Sequence, residues 1–226
     1  MHKKSILIKN ARIVNEGEIF EGDVLIEDQY IKEIASSISV KNSNITVIDA
    51  ENNYLIPGVI DDQVHFREPG LTHKATIETE SRAAIAGGIT SFIEMPNTNP
   101  QATTIEKLED KFQIAANTSS ANYSFMFGGT NNNLEEILKV DPLKVAGLKL
   151  FLGSSTGNML VDNPEVLEKI FKSTDLLISV HCEDEETIKK NTALYLERYG
   201  EDIPISCHPE IRSAEACYIS SSKAIA

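Results

Sequence analysis

Between Pro57 and Gly70 the chain reads Pro-Gly-Val-Ile-Asp-Asp-Gln-Val-His-Phe-Arg-Glu-Pro-Gly, and Asp61, Gln63, His65 and Arg67 occupy alternate positions in it. Side chains alternate across a strand, so these four are expected on one face, with Asp62, Val64 and Phe66 on the other. That face would present a carboxylate, an amide, an imidazole and a guanidinium in a row. The apolar run Tyr54 to Ile60 leads into this charged end, which breaks at Glu68-Pro69-Gly70, a strong turn signal. A buried strand opening onto a functional loop fits the pattern. A strand that simply ends at the surface, its histidine a satisfied structural group, fits the segment equally well taken alone.

Three further places carry candidate chemistry. Met95-Pro96-Asn97-Thr98 follows an apolar run; as a Pro-Asn turn it is unremarkable, but its amide could bind a carboxylate or ring carbonyl. Arg67 suits a carboxylate better still, through two parallel charge-assisted hydrogen bonds from its planar fork. Together they point to a small anionic substrate. Lys149, within Gly-Leu-Lys-Leu-Phe-Leu-Gly, is costly in a central strand unless something uses or neutralises it, or its amine reaches solvent. His181 ends Leu-Leu-Ile-Ser-Val-His and is followed by Cys182, read as a small buried residue pointing away from it. The acidic run Glu183 to Glu186 reads as a solvated helix start favoured by the helix dipole. His73 and His208 receive no role.

The elements that must position these residues fall into two parts. Residues 1–53 hold short β-rich segments, Ile6 to Ile8, Ala11 to Asn15, Asp23 to Glu27, Tyr30 to Ile34 and Ile45 to Ile48, separated by polar turns. From residue 54 to 226, strands alternate with helical stretches, which implies βα units and a parallel sheet. Helix signals are explicit at Thr76 to Ala86 before Gly87-Gly88, at Thr103 or Thr104, and at Asn163-Pro164. Five βα units can be counted, against the eight of a closed (β/α)₈ barrel.

Composition narrows the partners. The 226 residues are 41% apolar, enough to bury a sizeable core. A formal net charge of −13 and a pI near 4.8, with no clustered Lys and Arg, argue against nucleic acid. Ile6 to Ile8 is too short for a signal peptide or a membrane span. Cys182, Cys207 and Cys217 show no paired spacing, so reduced thiols and a cytoplasmic setting are expected.

The Pro57 to Gly70 string resembles the first barrel strand of the amidohydrolase superfamily, and more narrowly that of the dihydroorotases, whose pattern is Pro-Gly-x-Ile-Asp-x-His-x-His-x-Arg-Glu-Pro-Gly. Gln63 departs from it, standing where the first His of the metal-binding pair is usual. Met95 to Thr98 resembles the dihydroorotase segment whose Asn binds substrate. Lys149 is at the place where many superfamily members carry a carboxylated lysine bridging two metal ions, and His181 resembles the metal-binding His of the fifth strand. The resemblance implies a partial TIM-type metal-dependent hydrolase barrel, without its strands six to eight, preceded by a small β-sandwich-like domain. It implies Zn²⁺, one ion or two, held by His65, carboxylated Lys149 and His181, with Gln63 the weaker candidate. Arg67 and Asn97 would hold the carboxylate of dihydroorotate. The general acid and base would be an aspartate of the eighth strand, outside this chain, so the chain alone is expected to be inactive. A hydantoinase- or allantoinase-like cyclic amidase and a non-catalytic amidohydrolase-like scaffold are the alternatives. A homo-oligomer is compatible with all of these.

Overall fold

The computed structural model describes residues 5–40, 44–153 and 158–226, and the chain divides into units Met1–Gly58 and Val59–Ala226. In the first unit, β1 (Ser5–Asn15) pairs antiparallel with β2 (Glu18–Glu27), which pairs with β3 (Tyr30–Ala35). The short strands β4 (Ile45–Asp49) and β5 (Tyr54–Leu55) both run parallel to β1. The expected small sheet domain is thus one five-stranded mixed sheet. The segments Ile6 to Ile8 and Ala11 to Asn15 are a single strand interrupted by a bulge, where Asn10 has φ 54°. The buried Asp23 carboxylate fixes that irregularity, accepting from the main-chain N–H groups of Asn10 (3.0 Å) and Ile38 (2.9 Å). The apolar run from Tyr54 is divided: Tyr54 and Leu55 pair with Arg12 and Ile13, whereas Val59 begins the second sheet.

In the second unit, β6 (Val59–Val64), β7 (Ile89–Glu94), β8 (Asn122–Gly128), β9 (Gly147–Phe151) and β10 (Ile178–His181) form an all-parallel sheet in sequential order. Helices α1 (Ile77–Ala86), α2 (Ile105–Thr118), α3 (Leu134–Ile137) and α4 (Pro164–Ser173) connect the strands. After β10 come α5 (Glu185–Tyr199), a 3₁₀ turn at Ile205–Cys207, α6 (His208–Ile211) and α7 (Ala214–Ile225). The helix starts follow the local chemistry. Thr76 forms a reciprocal cap with Thr79, Thr104 accepts from the Lys107 N–H, and Asn163 accepts from Glu165 and Val166 behind Pro164.

One face of the sheet is apolar and packs on the helices: Phe92, Phe125, Phe127, Leu148 and Leu150 share a core with Leu108, Ala115, Ile137 and Ile170. Phe112 of α2 meets Phe125 edge-on at 4.8 Å. Alternation turns the intervening residues to the opposite face, where register places Gly128, Lys149 and Ser179 side by side and Phe151 beside His181. This half-closed parallel sheet is the partial barrel expected from five βα units. No helix among the described residues is long and apolar enough to cross a membrane.

Candidate active site

Because all five strands run parallel, their C-terminal ends share one edge of the sheet, and that is where the candidate residues gather. Strand β6 stops at Val64. The alternation expected through Arg67 is therefore cut short. Asp61 and Gln63 lie in the strand, His65 is the first residue beyond it, and Arg67 has left-handed backbone, φ 71°. Phe66 anchors this turn, its buried ring 4.5 Å from that of Phe92. Gln63 is exposed, and its main-chain N–H donates to the Asp61 carboxylate at 3.2 Å.

The loops after β6 and β7 are built against each other. Asn99 N–H donates to the Pro69 carbonyl at 3.1 Å, and Gly70, at φ 81°, lies so close that a Cβ there would be 1.7 Å from the Asn99 carbonyl oxygen. Only glycine meets both demands. Glu68 continues the lock by accepting from the Ile77 N–H at 2.8 Å, which ties the loop to the start of α1. Gly70→Ala is expected to destabilise the protein by about 2–4 kcal/mol, from backbone strain plus overlap. Chemical denaturation measures this; an unchanged midpoint would mean the two loops part freely.

His65 Nδ1 faces Asn97 Oδ1 at 2.8 Å, so Nδ1 is the donor and the Nε2 lone pair remains available. Burial pushes the His65 pKa down; Asn97 opposes this, and the charges of Arg67, Lys149 and Lys111 add to it. The shift favours the neutral ring, the form that binds metal. Lys149 is 2% exposed, which rules out an amine reaching solvent. Its Nζ lies 3.4 Å from Ser179 Oγ and 5.5 Å from the Phe151 ring centre, and among the described residues no carboxylate pairs with it. Burial lowers its pKa against the attraction of Cys182. Cys182 in turn has its thiol pushed up by burial, which suits a packed residue and not a nucleophile.

His181 Nε2 is 2.9 Å from Glu183 Oε2, and Arg212 grips the same carboxylate, its Nε donating to Oε1 at 2.9 Å. Glu183 is consequently no solvated helix start. It precedes α5, whose cap is Asp184, and its side chain is 17% exposed. Arg212, and secondarily His181, hold its carboxyl below the ordinary value of 4.5. A depressed carboxylate contributes stability that is present above the unfolded value and lost as pH falls through the folded one. Glu183→Gln is expected to cost about 1–3 kcal/mol near pH 7 and progressively less below about pH 4. Melting temperatures across that range measure it, and a constant offset would assign the loss to packing.

Two partnerships were beyond sequence reasoning: the half-buried pair Glu183 with Arg212, and the buried pair Glu94 with Lys111, whose charged atoms are 2.8 Å apart. An acid ending a strand and a lysine amid the apolar positions of α2 were the only signals, and neither names its partner. Among the described residues no three His, Cys, Asp or Glu side chains gather.

A parallel α/β half-barrel with ionisable residues along its C-terminal edge has the architecture of (β/α) barrel enzymes, whose sites lie at that edge. The dihydro-orotase-like family model matches residues 52–222, and the chain belongs to that family. It is 33% identical over 210 residues to the dihydroorotase of Staphylococcus epidermidis, covering 91% of this chain and 48% of that protein. With the dihydroorotase of Methanosarcina acetivorans it shares 36% identity over 185 residues, 80% of this chain and 39% of that one. Among solved structures, the L-hydantoinase of Arthrobacter aurescens superposes with a TM-score of 0.90 at 27% identity, over 97% of this chain and 49% of its own. The chain spans about half the length, or less, of the relatives it matches.

Proposed function

We propose that this chain carries the substrate-gripping residues and most of the metal ligands of a cyclic amidase of the dihydroorotase type. The reaction is the interconversion of dihydroorotate and N-carbamoyl-aspartate, in pyrimidine biosynthesis. The observation that supports it most is the meeting of His65 with Asn97 where the charges of Arg67 and Lys149 are both felt. The Arg67 fork takes the substrate carboxylate through two parallel hydrogen bonds. Asn97, its oxygen engaged by His65, still has two amino protons for the same carboxylate. Burial favours the deprotonated form of Lys149, and in that form its lone pair would bond to the carbon of CO₂, releasing one proton and leaving an anionic carbamate.

His65, carboxylated Lys149 and His181 would hold zinc, with Gln63 a poorer ligand, so one ion is the expected number. When held by these residues, the ion would supply Lewis-acid polarisation of the ring carbonyl and a water of pKa lowered toward about 7. Hydrolysis adds water across the ring C–N bond, and the leaving nitrogen takes a proton. Family resemblance assigns that proton to an aspartate of an eighth strand. Three free cysteines fit a cytoplasmic setting.

A hydantoinase-like reading is favoured by Lys149, and a metal-free scaffold by Gln63. Turnover on dihydroorotate and on an uncharged hydantoin, with elemental analysis before and after chelation, separates the three. Preference for dihydroorotate, stoichiometric zinc and loss of turnover on chelation are expected of the intact protein. Preference for hydantoin supports the second reading, and absence of metal the third.

A further inference from the structure

Glu94, the last residue of β7, and Lys111, in the middle of α2, are both fully buried and lie 2.8 Å apart. Taking two charges out of water costs several kcal/mol each, and well-packed apolar residues often replace such pairs without loss. Each partner here makes a second bond, to the main chain of a loop that carries a candidate substrate-binding residue. Glu94 Oε1 accepts from the Arg67 N–H at 3.1 Å, and Lys111 Nζ donates to the Met95 carbonyl at 3.0 Å, two residues before Asn97. The ammonium is further held over the Phe125 ring at 4.9 Å. Arg67 is the residue whose left-handed backbone must be sustained by its surroundings.

We propose that Glu94 and Lys111 are a positioning pair: from the helix side of the sheet they clamp the Arg67 and Asn97 main chains in register, and so set affinity for the substrate carboxylate. This rests on the reading of Arg67 as the carboxylate-binding group. Neither residue touches substrate, so the pair acts on binding through Arg67 and leaves the chemical step to others.

The test uses the intact protein with Glu94→Leu, Lys111→Met and the double variant, each also combined with Arg67→Gln. Single variants are expected to raise KM for dihydroorotate about tenfold with kcat changed far less, and to add little once Arg67 is gone. Hydrogen exchange in peptides containing Arg67 and Met95 should rise while that in α7 stays constant. Should the single variants not fold, the double variant, which leaves no buried charge, decides by the same two measurements. Full additivity with Arg67→Gln, or unchanged exchange around Arg67, overturns the proposal. If the unmodified protein does not turn over dihydroorotate, the functional reading fails, and exchange around Arg67 still decides the positioning role.

Discussion

Replacing Lys149 by methionine is expected to remove turnover while leaving the protein, compared with its metal-free and uncarboxylated parent, as stable as before or more so. The amine is buried, and among the described residues it has only a long hydrogen bond to Ser179 and faces no carboxylate. Methionine has a similar reach and no charge to desolvate, so the exchange should be neutral or gain about 1–2 kcal/mol. Activity moves the other way, because the variant cannot form a carbamate. Loss of a Lewis acid worth several kcal/mol corresponds to a fall of about a thousandfold or more in kcat/KM.

The stability difference should depend on pH. Burial lowers the folded-state pKa of Lys149 below the ordinary 10.5, so the unfolded chain binds more protons between those two values. The cost of burying the ammonium is present in full at low pH and is relieved as pH rises through the folded value. The advantage of Lys149→Met is accordingly largest at low pH and fades toward alkaline pH. Melting curves at several pH values, metal content, and a native mass about 44 Da higher for a carboxylated parent measure each part. A variant that keeps normal turnover would sink the carbamate, and one that is strongly destabilised would make Lys149 a structural residue.

Arg67→Gln carries the second large effect. Two charge-assisted hydrogen bonds to a carboxylate are worth about 3–4 kcal/mol together, so KM for dihydroorotate should rise by a factor of about 10²–10³. The backbone supports reading this as lost binding, since glutamine and arginine tolerate φ 71° about equally and the Glu94 bond is to the main chain. Arg67→Lys should recover only part, because a single ammonium cannot match the fork. Steady-state kinetics on dihydroorotate and on an uncharged cyclic amide provide the check. An equal loss on both substrates would show that Arg67 shapes the loop and does not grip the carboxylate.

The sequence by itself determined what depends on near neighbours. The alternation of five strands with helices, the caps at Thr76, Thr104 and Asn163, and the turn at Glu68-Pro69-Gly70 are all set by residues within a few positions of one another. The motifs around His65, Asn97, Lys149 and His181 were legible for the same reason, as short strings at strand ends. Only the tertiary structure decided where β6 stops, because Arg67 turns left-handed as its main-chain N–H donates to the carboxylate of Glu94, which arrives on the next strand. It alone paired Asn97 with His65 across 32 positions and Arg212 with Glu183 across 29. It also drew a lysine of α2 to the back of the substrate loop. No periodicity marks such partners: a buried charge is matched by whatever group the folded sheet brings within about 3 Å, and that distance is set by packing.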